Sequence, residues 1–343
     1  MYSVPYHGDK DLSRLSFLVT GGAGFIGSNL VEYLLKFKAG KVRVLDNFST
    51  GHLGNLEPFL SNDNFELIEG DIRDLETCQY AAKGVDYILH QAALGSVPRS
   101  INDPATTNEV NITGFLNMLI ACKDQNVKRM VYAASSSTYG DSKELPKLED
   151  KIGKPLSPYA VTKYVNELYA DVFSRLYNLE LIGLRYFNVF GQRQDPNGAY
   201  AAVIPKFVSQ LLKYESPVIN GDGEFSRDFT YIENVVQMNI KSALSDNSNA
   251  VNQVYNVAFG QKTSLNELVS ILKVQLDKYD PEIKNVRIIY GPERTGDIPH
   301  SLASIDKAAT LLSYTPGFSI ADGLQQAVTY YVSQIRESEV FKS

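Results

Sequence analysis

The chain has 343 residues but only two cysteines, Cys78 and Cys122. Neither stands in a metal-binding or disulfide spacing, so both are expected to be reduced core residues of a cytoplasmic protein. The four histidines, His7, His52, His90 and His300, are scattered. They offer no ligand spacing, and no metal is expected. Positive charge is in short supply: 33 Lys and Arg face 39 Asp and Glu, a net charge of -6. That balance argues against nucleic acid as the main partner. No apolar run is long enough to cross a bilayer, so no membrane partner is expected. The opening "MYSVPYHGDKDLSRLS" lacks the apolar stretch of a signal peptide. Internal repeats and low-complexity linkers are missing too. What remains is an ordinary globular composition on a chain long enough for one large α/β domain or two lobes.

Short apolar runs alternate with helical patterns through the first half. "LSFLVT", "KVRVLD", "NFELIEGD", "VDYILHQAA", "KRMVYAAS" and "LELIGLRYF" read as strands, apolar on both faces. "FIGSNLVEYLLKF", "NEVNITGFLNMLIACKDQ" and a stretch beginning near Ser157 read as helices. The alternation predicts a doubly wound parallel sheet covered on both sides. After "YFNVFG" the rhythm changes and prolines become more frequent. A smaller, interleaved C-terminal α/β lobe is expected there, with "IENVVQMNIKSAL" and "QVYNVA" returning to the first lobe. The expected division is residues 1–186 plus about 229–258 for the sheet domain, and 187–228 with 259–343 for the second lobe.

"VTGGAGFIG" places Gly21, Gly24 and Gly27 between the first strand and the first helix. Glycines there allow a tight turn and let a pyrophosphate approach the N–H groups that open the helix, next to Phe25 and Ile26. Asp46 ends the second strand, where a carboxylate accepts hydrogen bonds from ribose hydroxyls and repels the 2′-phosphate of NADP. The cofactor indicated is therefore NAD. Asn47 and Gly51 follow Asp46; Asp71 and Ile72 follow the third strand, at the adenine. "HQAA" puts Gln91, Ala92 and Ala93 after the fourth strand, where small residues leave room for a dinucleotide.

In "SPYAVTKY", Tyr159 and Lys163 stand four apart at the start of a helix, on one face. A free phenol has a pKa of about 10, and lowering it about three units takes roughly 4 kcal/mol. A neighbouring ammonium and a positively charged nicotinamide would both favour the phenolate. Tyr159 then becomes a general base for a sugar hydroxyl while NAD takes hydride from the same carbon. "AASSSTYG" closes the fifth strand at its C-terminal end, where ligands of open parallel sheets bind. Ser135 is the expected catalytic hydroxyl, with Ser136 and Ser137 as substrate contacts.

Taken together, "TGGAGFIG", "SSSTYG", "SPYAVTKY" and "LRYFNVFG" resemble the extended short-chain dehydrogenase/reductases, whose dinucleotide half is a Rossmann fold. Within that group the chain looks most like the NAD-dependent UDP-hexose 4-epimerases acting on N-acetylated sugars. The resemblance implies oxidation at C4 of a UDP-sugar, rotation of the 4-keto sugar and hydride return to its other face. It gives Tyr159 the proton, Lys163 the nicotinamide ribose, Ser135 the hydroxyl and Tyr186 a cofactor contact. On the substrate side it implies Asn188 at the diphosphate, Val203 and Lys206 of "AAVIPKFV" along the uracil, and Arg227 and Arg294 as pyrophosphate cations. Asp297 is implied for the uridine ribose, and Gly95, Ser96, Arg99 and Gln194 near the sugar. A homodimer and a place in polysaccharide biosynthesis are also implied.

Sugar choice rests on Ser301. Relatives restricted to the plain hexose carry a tyrosine at the matching position, and a small residue leaves room for an N-acetyl group. Interconversion of UDP-N-acetylglucosamine and UDP-N-acetylgalactosamine is therefore expected, with UDP-glucose and UDP-galactose as further substrates. The rivals are a 4,6-dehydratase, a UDP-glucuronate-type decarboxylase or epimerase, and a binding protein without chemistry. A dehydratase would need adjacent acids where Ser136 and Ser137 stand.

Overall fold

The structure is a computed structural model describing residues 2–195, 202–292 and 299–340. The first part runs β1 (Ser16–Thr20), α1 (Phe25–Lys36), β2 (Lys41–Asp46), β3 (Phe65–Glu69), α2 (Leu75–Ala82), β4 (Tyr87–His90), α3 (Val97–Asn102), α4 (Pro104–Asn108), α5 (Gly114–Asp124), β5 (Arg129–Ser135), α6 (Pro158–Tyr177) and β6 (Leu181–Tyr186). The remainder comprises β7 (Val189–Phe190), α7 (Val203–Leu212), β8 (Val218–Asn220), β9 (Ser226–Arg227), β10 (Thr230–Tyr231), α8 (Ile232–Leu244), β11 (Gln253–Val257), β12 (Thr263–Ser264), α9 (Leu265–Leu276), β13 (Ile289–Gly291), α10 (Asp306–Leu312) and α11 (Ile320–Val340).

Seven strands form one parallel sheet in the order β11-β6-β5-β4-β1-β2-β3. Side chains alternate across it. Phe17 and Val19 join the core under α1 and α8, whereas Leu18 joins Ile88 and Met130 under α2 and α5. Two buried faces explain why these strands are apolar throughout rather than at every second position. Strand order reverses between β1 and β4, and the crevice of such a sheet lies there, beyond the strands' carboxyl ends.

Helix starts follow from local chemistry. Ser157 caps α6, its Oγ accepting from Ala160 N at 3.2 Å, and Pro158 occupies the first turn. Asn178, at φ 55°, ends the helix in the left-handed conformation. The long helix read from the sequence at 108–125 contains a π-helical turn, Glu109–Thr113, between α4 and α5. The wider turn accommodates Asn111, whose Nδ2 donates to Leu94 O and Thr162 Oγ1, both at 3.1 Å. Its Oδ1 accepts from Leu94 N at 2.8 Å. Such turns recur at functional sites.

In the second part, α7, α9 and α11 pack against one another. A capping box, Ser264 with Glu267, opens α9. Lys147 N donates to Leu302 O and Ser304 N to Lys147 O, so the loop after β5 is stitched to the segment that carries Ser301. The N-terminal residues also pack: Tyr2 is buried and Tyr6 stacks on Tyr33 of α1 at 5.7 Å.

Candidate active site

A cleft of about 560 Å³ opens beyond the carboxyl ends of the strands. That volume suits a small-molecule or cofactor site. It is lined by every residue read from the sequence as a dinucleotide contact: Gly21, Gly24, Phe25, Ile26 and Gly27; Asp46, Asn47 and Gly51; Asp71 and Ile72; Gln91, Ala92 and Ala93; and Tyr159, Lys163 and Tyr186.

Three glycines build the turn after β1 and the first turn of α1 in different ways. Gly21 has φ 68°, and a Cβ on it would lie 2.7 Å from Ala92 N. A Cβ on Gly27 would stand 2.1 Å from Gly21 O. Both positions therefore require glycine for backbone contact. Gly24 differs: a Cβ there meets only Gly21 O, at 3.2 Å, and would otherwise stand in open space. This is the cradle into which an anion can approach the N-terminus of α1. Across the cleft Asp46 is buried, with Ala23 N and Phe48 N donating to its two oxygens, each at 2.8 Å. Burial raises its pKa, and these backbone bonds offset part of the rise. Hydrogen bonds from Arg73 hold Asp71 down at about 2, helped by Asn47 Nδ2 at 2.9 Å. These groups fit NAD: an open glycine turn for the pyrophosphate, and carboxylates for an adenosine ribose with unmodified hydroxyls.

At the other end, Tyr186, Gln91 and Asn239 form a closed ring. Tyr186 OH donates to Gln91 Oε1 at 3.0 Å, Gln91 Nε2 to Asn239 Oδ1 at 3.1 Å, and Asn239 Nδ2 to Tyr186 OH at 2.9 Å. Asn239, on α8, was not singled out in the sequence. No local motif marks it, since its role depends on a helix that returns from far along the chain.

Tyr159, Lys163 and Ser135 line the same cleft. Lys163 Nζ is buried and donates to Ala133 O at 2.8 Å. Burial lowers its pKa to about 8. The Tyr159 phenol is raised by burial, and the Ser135 side chain pulls it back in part. The expectation of a phenol depressed by Lys163 is therefore corrected for the protein's own groups. The ammonium is engaged by the Ala133 carbonyl, and desolvation outweighs the help that Ser135 gives. Ser137 turns inward, its N and Oγ both donating to Ser135 Oγ, at 3.1 and 2.9 Å.

Of the residues assigned to the sugar nucleotide, Gly95, Ser96, Arg99, Asn188 and Gln194 line the cleft. Ser96 has φ 90° and Asn188 φ 36°, strained backbones of the kind that collect at ligand sites. Ser136, Ser137, Val203, Lys206, Arg227 and Ser301 do not line it. Val203 and Lys206 lie on α7. Arg227 donates to Ser226 O and Pro299 O at 3.0 and 3.2 Å, and Ser301 N donates to Ser226 O at 3.0 Å. Arg227 and Ser301 thus share one corner of the second lobe. Arg294 and Asp297 lie outside the described residues. The sequence reading missed Thr50, Leu94, Ala133, Ala134, Val189 and Ala202, which also line the cleft. Ala133 and Ala134 could have been found, because they directly precede Ser135 at the strand's carboxyl end.

Comparison with known proteins adds one family match and three structural likenesses. The model of the NAD-dependent epimerase/dehydratase family matches residues 17–258. The structure of a UDP-N-acetylglucosamine 4-epimerase from Methanobrevibacter ruminantium, in complex with UDP-N-acetylmuramic acid, is 41% identical with a TM-score of 0.87. The match covers 94% of this chain and 99% of that one. A UDP-glucose 4-epimerase from Thermotoga maritima with UDP-glucose is 35% identical, TM-score 0.84, covering 94% and 100%. A UDP-glucuronic acid 4-epimerase from Bacillus cereus, with UDP-glucuronic acid and NAD, is 30% identical, TM-score 0.83, covering 93% and 100%.

Proposed function

The chain belongs to the NAD-dependent epimerase/dehydratase family, and from that premise we infer that it interconverts UDP-N-acetylglucosamine and UDP-N-acetylgalactosamine. The coarser activity is that of a UDP-sugar 4-epimerase. The observation carrying the chemistry is that Tyr159, Ser135 and Lys163 line one cleft with the dinucleotide cradle, the Ser135 side chain lowering the Tyr159 pKa in part. The sugar preference is supported by the small side chain at Ser301, beside Arg227.

When bound, NAD would supply the hydride acceptor, and then donor, for C4 of the sugar. Tyr159 takes the 4-hydroxyl proton and later gives it back. Ser135 orients that hydroxyl and stabilises the phenolate by donating to it. Lys163 supplies a buried positive charge at the same end of the cleft and is fixed in place by Ala133 O. Gly24 and the N-terminus of α1 receive the pyrophosphate, and Asp46 the adenosine ribose. Asn188 and Arg227 receive the second diphosphate. We assign residues 1–186 with 229–258 to the cofactor lobe, and 187–228 with 259–343 to the sugar-nucleotide lobe. Serines at 136 and 137 leave no acid for dehydration at C5 and C6.

The outer face of α6 carries exposed Val161, Leu168, Val172 and Leu176, spaced to form one stripe. A second copy of this chain is its proposed occupant, giving a homodimer. A second substrate reading is favoured by Arg99, a cation lining the cleft that a uronic acid carboxylate could meet.

One incubation separates the readings. Purified protein is given UDP-N-acetylglucosamine, UDP-glucose or UDP-glucuronic acid, and the products are resolved by chromatography. A C4 epimer formed fastest from the N-acetylated sugar supports the proposal. Preference for UDP-glucuronic acid supports the second reading. A 4-keto-6-deoxy product, carbon dioxide or no turnover overturns both.

A further inference from the structure

Asp228 lies between β9 and β10 and is wholly buried. Its neighbour Arg227 is assigned above to the sugar-nucleotide lobe, and its carboxylate gathers backbone N–H groups from elsewhere. Oδ1 accepts from Phe259 N at 3.0 Å and Gly260 N at 3.2 Å. Oδ2 accepts from Gly260 N at 3.1 Å and Ala303 N at 3.2 Å. Its main-chain carbonyl accepts from Asn188 Nδ2 at 3.0 Å. Three segments far apart in sequence therefore meet on one residue.

Burying a carboxylate is costly, and the cost shows here: burial pushes the Asp228 pKa up to about 7 despite the N–H donors. A nonpolar residue could fill the space, but it could not hold three N–H groups that would otherwise be unpaired. The segments it joins have something in common. Asn188 lines the cleft with its backbone at φ 36°. Arg227 is the adjacent residue in the chain. Ala303 is two residues from Ser301, whose own N–H is tied to Ser226 O.

We propose that Asp228 is a positioning residue for the nucleotide-sugar end of the cleft: it sets Asn188, Arg227 and the Ser301 segment in register with one another. The inference rests on the reading above, that these three hold the UDP-sugar. None of the hydrogen bonds to Asp228 comes from a residue read as a dinucleotide contact.

Two measurements test it, both using UDP as the probe. The first compares wild type with Asp228→Asn, which places amide hydrogens against backbone N–H donors. UDP affinity by calorimetry, and KM for the UDP-sugar, should weaken roughly tenfold or more. Bound NAD per chain should be unchanged, and kcat at saturation should stay within about threefold. A merely structural role would lower NAD content and kcat together. The second measurement needs no variant. Hydrogen exchange of wild type is followed with and without UDP over residues 256–262, none of which lines the cleft. Coupling is reciprocal, so UDP should slow exchange at Phe259 and Gly260. A folded Asp228→Asn with wild-type UDP affinity, a parallel loss of NAD, or exchange at 256–262 indifferent to UDP overturns the inference alone. A wild-type protein that does not bind UDP overturns the reading of the cleft and the inference with it.

Discussion

Lys163 Nζ donates to the carbonyl oxygen of Ala133 at 2.8 Å, so the ammonium of α6 is tied to the strand end that carries Ser135. Burial brings its pKa down to about 8. Turnover that depends on this charge should fall as pH rises through about 8, visible in kcat/KM. Stability moves the other way. Between pH 8 and the ordinary lysine value the unfolded chain holds a proton that the folded one has lost, so folding becomes more favourable as pH rises. Lys163→Met should abolish the alkaline limb along with most activity. At pH 7 it should leave the melting temperature unchanged or higher. A marked fall in melting temperature would contradict the cost assigned to burying this charge.

Tyr159→Phe keeps the ring and removes the acid–base oxygen. Turnover should drop by about 10² to 10⁴. Bound NAD should be retained, because the residues proposed to hold it are spread over five strand ends. Ser135→Ala removes the hydroxyl that pulls the phenol down. Its ascending pH limb should therefore shift to higher pH relative to wild type. Absorbance of bound NAD and pH–rate profiles check both; an unshifted limb would detach Ser135 from the phenol.

Ser301→Tyr should discriminate between sugars rather than abolish activity. Turnover of the N-acetylated pair should fall by at least about tenfold, with UDP-glucose spared, since bulk excludes more effectively than it admits. Parallel rates on the two sugar classes are the measurement. Unchanged selectivity would place the gate elsewhere.

His90 is buried, with Nδ1 2.7 Å from Thr20 Oγ1. Burial and, secondarily, the Lys163 charge lower its pKa to about 3. Above the ordinary histidine value both states are neutral. As pH falls below it the unfolded chain takes up a proton that the folded one refuses, so stability is lost from near pH 6.5 down toward 3. The slope from this group should approach about 1.4 kcal/mol per pH unit. Denaturant melts at pH 7, 6, 5 and 4 measure it, and His90→Gln should flatten the curve.

The cofactor half was legible because its signals are local. A glycine turn, an acid at a strand end and a Tyr-x-x-x-Lys spacing each declare themselves within a few residues, and the sheet delivers them to one edge. The rest depends on contacts that no window of sequence contains. Tyr2 and Tyr6 sit in a stretch that reads as a polar tail, yet they pack on α1 and α8 through hydrogen bonds to Asn29 and Glu233. Asn239 is an ordinary helix residue until α8 returns beside β4 and β6. The phenol of Tyr159 was expected to be acidified by its neighbour four residues on. Spacing gave the shared face, but not the Ala133 carbonyl that engages the ammonium or the desolvation that raises the phenol. Ser136 and Ser137 are read from the sequence as substrate contacts beside Ser135, but the turn after β5 leaves both off the cleft lining and aims Ser137 at Ser135.

The sheet is completed by β11, a strand synthesised almost seventy residues after β6. A nascent chain emerging from the ribosome therefore holds β6 with one side unpaired until Val257 has cleared the exit tunnel. The dinucleotide half cannot be cut away as a free-standing module at 186 without leaving that strand open to pairing between chains. Gene fusions or truncations meant to harvest a small NAD-binding scaffold from this protein would have to carry the return segment with them.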